Sequence, residues 1–163
     1  MLEEIVNRRC VRKYKSTPIK KEDILKIIKA AQFAPNSMNT RAWEFLIIED
    51  NEIKEKLFEI LGQDFVKETP VLIVPAIDQK KTTNPIQDLS LASGYAFLQA
   101  AKLGLSTVWK NVRAENLEKV KGVLNIPENY LIINLIPVGY ADEKIECHSN
   151  KDFEEGKIHW GKW

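Results

Sequence analysis

Short apolar runs that alternate with segments of helical periodicity predict an α/β fold, an α+β sandwich in which helices flank a central mixed sheet. Three observations carry that reading. The runs Glu44–Glu49 (EFLIIE), Val71–Val74 and Tyr130–Val138 are short and almost continuously apolar, as buried strands are. Between them, apolar residues recur every three or four positions, which is the pattern of a helix with one buried face. At 163 residues, 44% hydrophobic and 29% charged, the chain has the material for one packed domain over residues 1–163.

The elements follow in order. Leu2 to Arg9 reads as a short helix with Leu2, Ile5 and Val6 on one side, broken by Ser16-Thr17-Pro18. A second helix from Lys20 to Phe33 carries the stripe Ile24, Ile27, Ile28, Ala31 and ends at Ala34-Pro35, because proline disfavours helix in the residue before it. After the strand at Glu44–Glu49, Asn51 is placed to cap a third helix with Ile53, Leu57, Ile60 and Leu61 at helical spacing. Asp78 to Pro85 is polar and reads as a mobile loop. The longest helix, Ile86 to Leu103, is stopped by Gly104 and is crowded with Ala92, Ser93, Gly94, Ala96, Ala100 and Ala101, which suits close approach to a neighbouring element or subunit. A strand over Leu105–Lys110, a helix over Asn116–Leu124 and the strand over Tyr130–Val138 complete the body. The tail from Cys147 to Trp163 ends with two tryptophans within four residues, which predicts that it docks on something.

A net charge of +1 argues against a general nucleic-acid binder, and no apolar run reaches membrane-spanning length. The acidic start Met1-Leu2-Glu3-Glu4 lacks a secretory pattern. Cys10 and Cys147 form no CxxC pair, so a cytoplasmic location is expected. Cys147, His148 and His159 have no metal-ligand spacing. Against this neutral background, Arg8, Arg9 and Arg12 fall within five residues. Guanidinium forks grip phosphate oxygens in pairs, so the cluster suits a small phosphorylated ligand. On the residues alone, the basic C-terminal turn of a helix explains it as well. Ser37-Met38-Asn39-Thr40-Arg41 offers hydroxyl, amide and guanidinium donors able to read a heterocycle edge, and is equally the usual material of a turn. Neither GxGxxG nor GxxxxGK[ST] is present, so side chains must hold any phosphate.

Five blocks in order carry a resemblance across the chain: Arg8-Arg9-Cys10-Val11-Arg12-Lys13-Tyr14, Ala34 to Phe45 (APNSMNTRAWEF), Asp88-Leu89-Ser90-Leu91-Ala92, Ala101 to Trp109 (AKLGLSTVW) and Leu135-Ile136-Pro137-Val138-Gly139-Tyr140. Asn150-Lys151 and Ile158-His159-Trp160 look like the matching C-terminal signature. The sequence resembles the nitroreductase family of FMN-dependent oxidoreductases. That resemblance implies a nitroreductase-like fold and a homodimer with two FMN sites, each built from both chains. Arg8, Arg9, Cys10 and Arg12 would hold the phosphate and ribityl end, with Lys151 as a further cation. Ser37, Asn39 and Arg41 would lie on the flavin edge or reach it from the partner. Val108, Trp109 and Lys110 would run along the ring. The implied reaction carries reducing equivalents from NADH or NADPH, through flavin N5, to a small electron-poor acceptor such as a nitroaromatic or a quinone. It would proceed by a ping-pong mechanism with no catalytic side chain of its own.

Three departures stand out. Cys10 occupies a position usually held by serine, Arg41-Ala42 stands where Gln-Pro is common, and Asn150 replaces an arginine. They keep open a flavin-binding or sensing protein without efficient turnover. A specialised reductive enzyme of the same fold, such as a dehalogenase, is the further alternative. The brief connection from Leu61 to Pro70 predicts an open site.

Overall fold

A computed structural model describes residues Met1–Trp163. The chain runs α1 (Glu3–Asn7), α2 (Lys21–Gln32), β1 (Trp43–Ile48), α3 (Asn51–Leu61), α4 (Phe65–Glu68), β2 (Val71–Asp78) and α5 (Pro85–Lys102). It continues through β3 (Ser106–Thr107), β4 (Lys110–Asn111), α6 (Ala114–Leu124), β5 (Tyr130–Leu131) and β6 (Asn134–Gly139). Short 3-10 turns lie at Ser37–Asn39, Asn150–Asp152 and Glu155–Lys157.

The sheet order is β1-β2-β6-β3, with β4 also on β6 and β5 on β2. A mixed sheet was expected, but every pair of strands is antiparallel. The parallel element is confined to one isolated bridge, Cys10 to Thr107. β2 explains why its sequence reads as unbroken hydrophobe. Val71, Ile73 and Ile77 face the layer of α2 and α5, while Leu72, Val74 and Ala76 face α3, α4 and α6. Successive side chains of a strand point to opposite faces, so a strand covered on both faces must be apolar throughout.

The strand expected over Tyr130–Val138 is two pieces. β2 pairs with β6 from Val71↔Val138 to Ile73↔Ile136, and with β5 at Ile77↔Leu131 and Asp78↔Tyr130, in registers one residue apart. The extra residue is a β-bulge, and Pro75 falls in the stretch where β2 has no ladder to either piece, so its missing N–H breaks nothing there. The strand expected over Leu105–Lys110 is also divided. β3 and β4 keep one register on β6, which sets Val108 opposite Pro137, a residue without an N–H to donate.

Helix boundaries moved by small amounts for visible reasons. Asp50, rather than Asn51, caps α3, its Oδ1 accepting from the Ile53 N–H at 2.9 Å, and Gly62 closes that helix at φ 65°. α1 stops at Asn7, leaving Arg8 and Arg9 in extended chain. The small residues Ala92, Ala96 and Ala100 of α5 are buried against α2 and the sheet, and Trp43 is a core residue. Gly139 allows another close approach: a Cβ there would lie 2.8 Å from Tyr14 Cδ1 and 3.0 Å from Pro70 Cδ. The tail beyond Asp142 is exposed except at His148, with Trp160 and Trp163 almost wholly in solvent, so the expected docking is not made within one chain. No helix is long and apolar enough to cross a membrane.

Candidate functional site

Residues 8–12 leave α1 as extended chain laid beside the end of β3. Cys10 bridges Thr107, and the Val11 N–H donates to Thr107 O at 3.1 Å. Val11 is buried, and alternation along extended chain turns its neighbours Cys10 and Arg12 the other way. Arg8 Nη1 lies 3.9 Å from Cys10 Sγ, which brings Arg8 to that same side. The segment is pinned by Glu143, whose Oε1 accepts the N–H of Arg12 at 2.6 Å and of Lys13 at 3.2 Å. Arg9 goes elsewhere: its Nη1 donates to His148 Nδ1 at 3.0 Å, and the His148 N–H donates to Val6 O at 2.9 Å. With α1 ended at Asn7, the helix-terminus explanation does not apply to Arg9 or Arg12.

Two cavities flank this segment. One, of about 300 Å³, is bordered by Arg8, Arg9, Ser106, Thr107, Ile145 and Cys147. The other, of about 260 Å³, is bordered by Arg12, Phe65, Val108, Trp109, Lys110 and Arg113. Val108 is buried, Trp109 packs edge-on against Phe97 of α5 at 6.3 Å, and Lys110 is half-buried. Burial first, and then the nearby Arg113 charge, hold the Lys110 ammonium below its ordinary pKa. Of the five arginines only Arg113 has a carboxylate partner, Glu115 at 3.7 Å. Arg8, Arg9 and Arg12 therefore have no carboxylate within ion-pair distance, although Arg9 lies near enough to Asp152 to help hold that carboxyl below its ordinary pKa.

Ser37, Asn39 and Arg41 lie outside both cavities, on a turn before β1. Three non-glycine residues of that turn have left-handed backbone: Met38 at φ 50°, Asn39 at 54° and Arg41 at 50°. The Arg41 N–H donates to Asn36 Oδ1 at 3.0 Å and its Nε to Asn39 Oδ1 at 3.2 Å. The turn borders a third cavity, of about 310 Å³, with Lys80, Lys81, Thr82 and Thr83. The loop expected to be mobile is tethered at both ends. Asp78 accepts from Asn129 Nδ2 at 2.8 Å and from the Lys80 N–H at 3.0 Å, and Thr82 Oγ1 donates to Asp88 Oδ2 at 2.6 Å.

Lys151 lies in the exposed turn Asn150–Asp152, three residues past His148. One chain thus assembles Arg8, Cys10, Arg12 and Val108–Lys110 along one edge, brings Arg9 to the tail, and leaves Ser37, Asn39 and Arg41 apart. Sequence reasoning missed two members of this scaffold, Asp88 and His148. Asp88 stood inside one of the quoted blocks without a role. Nothing local marked His148 as a partner of Arg9.

The donor set fits a flavin mononucleotide: guanidiniums without an ion-pair partner for a dianionic phosphate, hydroxyls at Ser106 and Thr107 for a polyol, and an apolar edge at Val108 and Trp109 for a ring. A two-sided α/β sandwich with no glycine-rich phosphate loop is distinct from the Rossmann and P-loop folds. The profile of the Nitroreductase family matches residues 5–70 and 58–140. The chain belongs to the nitroreductase family. It is 34% identical over 171 residues to a protein of Archaeoglobus fulgidus named "Putative NADH dehydrogenase/NAD(P)H nitroreductase", covering 99% of this chain and 98% of that one. The solved structure of an FMN-dependent nitroreductase from Clostridium difficile superposes with a TM-score of 0.94 at 34% identity, covering all of both chains. An iodotyrosine deiodinase of Thermotoga neapolitana is 28% identical over 162 residues, covering 83% of this chain and 86% of that one.

Proposed function

We propose that this protein is an FMN-dependent oxidoreductase that carries reducing equivalents from NADH or NADPH to an electron-poor small molecule, of nitroaromatic or quinone type, in a ping-pong cycle. The observation that carries this reading is the row Arg8, Cys10, Arg12, whose guanidiniums have no acid partner and which lies beside Val108–Lys110. The bound flavin would supply reversible acceptance and release of reducing equivalents. The chain's own work is to bind and orient. Arg8 and Arg12 neutralise the phosphate, with Arg9 and Lys151 adding charge at its margin. Trp109, held by Phe97, and the half-buried Lys110 border the ring. A cation or N–H near the pyrimidine edge favours the reduced, more anionic form.

The separation of Ser37, Asn39 and Arg41 from this row favours a homodimer in which they reach the flavin of the partner. α1, α2 and α5 support it with an uncovered apolar face: Leu2 is 64% exposed and Phe33 70%, with Leu91 and Tyr95 nearby on α5. A shallow cavity between Leu2, Ala30, Tyr95 and Leu98 lies on the same face.

The test is an absorption spectrum of the purified protein after incubation with FMN, followed by anaerobic addition of each nicotinamide, with sedimentation velocity on the same sample. A flavin spectrum bleached by NADH or NADPH, on a sedimenting dimer, is expected. A flavin spectrum that neither reductant bleaches indicates a binding protein, and a monomer that retains no FMN refutes the assignment.

A further inference from the structure

Asp88 is 2% exposed in the first turn of α5 and has no cation within ion-pair distance. A buried carboxylate is costly unless its lone pairs are filled, and here three donors fill them. Oδ1 accepts from the Ser37 N–H at 2.9 Å and the Ser37 hydroxyl at 3.2 Å, while Oδ2 accepts from the Thr82 hydroxyl at 2.6 Å. Asn84 closes the group, its Nδ2 donating to Ser37 Oγ at 2.9 Å and its N–H to Thr82 Oγ1 at 3.2 Å. Every bond of this carboxylate thus goes to the two segments that border the third cavity, and none to the packed core.

Ser37 begins the turn in which Met38, Asn39 and Arg41 all have left-handed backbone. Side-chain-bearing residues adopt that region at a cost, and several together persist only where the surroundings over-determine them. Two anchors do so. Asp88 holds the turn at Ser37, and Asn36 holds it at Arg41 through the 3.0 Å bond. The strained turn presents Met38, Asn39, Thr40 and Arg41 outward, all exposed, and Asn39 and Arg41 are the amide and guanidinium among them. Neither side chain of that pair touches Asp88.

We propose that Asp88 is a positioning residue for the flavin edge: through Ser37 it locks the turn in the one conformation that presents Asn39 and Arg41 to the isoalloxazine of the partner subunit. The inference rests on the FMN reading above. It adds a residue that meets neither flavin nor substrate, yet sets how tightly the flavin is held and how readily it is reduced.

The test compares wild type with Asp88→Ala and Asp88→Asn. Three readouts are the FMN dissociation constant of the apo-protein, the flavin midpoint potential, and hydrogen exchange of residues 36–41 against that of β2. Loss of bonds to a charged group predicts about a tenfold weaker FMN affinity in Asp88→Ala. The midpoint potential should shift, and amide exchange should rise in the turn but not in β2. Asp88→Asn, which keeps the shape and part of the bonding, should recover part of each effect. Thr82→Val deletes the 2.6 Å bond to Asp88 and the 3.2 Å bond from the Asn84 N–H while leaving both Ser37 bonds to Asp88, and serves where Asp88→Ala does not fold, with the same three changes expected at smaller size. Wild-type affinity and potential in a folded Asp88→Ala, or in Thr82→Val where that variant stands in, overturn the inference alone. A purely structural role would lower the unfolding temperature and leave those two quantities unmoved. Wild-type protein that takes up no FMN overturns the functional reading, and this inference with it.

Discussion

Replacing Arg8 and Arg12 together by alanine should yield a folded protein that no longer retains FMN. Both side chains lie on the same side of the extended segment, and neither has a carboxylate partner, so their removal strands no acid. The backbone stays in place without them, because Glu143 Oε1 holds the Arg12 and Lys13 N–H groups and Val11 remains tied to Thr107. Substitutions away from packing and bonding networks usually change stability by about 0.5 kcal/mol or less, and that is the change expected here. Binding is another matter. One bond from each guanidinium to a charged phosphate contributes about 1.5–3 kcal/mol, so losing both should weaken FMN binding by about 3–6 kcal/mol, roughly 10²- to 10⁴-fold in Kd. The assay is titration of apo-protein into FMN, read by quenching of flavin fluorescence at fixed ionic strength, with an unfolding curve for each variant. Arg9→Ala is the internal control, since that guanidinium is already bonded to His148. It should cost far less than either Arg8→Ala or Arg12→Ala. A double variant within threefold of wild type, or an Arg9→Ala as damaging as the others, would refute the placement of the phosphate.

Two further outcomes follow from packing and charge. Gly139→Ala forces a methyl to 2.8 Å from the Tyr14 ring and 3.0 Å from Pro70, so urea denaturation should show a loss of about 1–3 kcal/mol; a midpoint equal to wild type would mean that Tyr14 yields freely. The Asp78 carboxyl is held below its ordinary pKa, first by the Asn129 amide and then by the Lys80 N–H. A depressed carboxyl stabilises the fold above its unfolded value of about 3.9, and that stabilisation is lost as pH falls through the lower folded value. Asp78→Asn should therefore flatten this part of the acid limb in thermal melts collected from neutral pH downward, and an acid limb identical to wild type would contradict the assignment.

Much of the body is legible in the sequence alone. The stripe Ile24, Ile27, Ala31 and the unbroken run of β2 announce themselves because helical and strand periodicity is written between near neighbours. The division of Tyr130–Val138 was not legible. A bulge arises from pairing with β2, some sixty residues away, and apolar content is the same on both sides of it. Asp50 displaced Asn51 as the cap of α3 because both residues can cap, and only the chain's approach to the helix selects between them.

The sequence by itself determined the layered α/β architecture, the place of arginine-rich and polar clusters along the chain, and the family they resemble. Tertiary structure alone decided which of those side chains share a site. It set Arg8, Cys10 and Arg12 against Thr107, gave Arg9 to a histidine 139 residues along the chain, and tied Ser37 to an aspartate 51 residues away. Local periodicity selects elements because it acts between chain neighbours. Convergence of charged and hydrogen-bonding groups is fixed by how the finished elements pack, a property that no single segment carries.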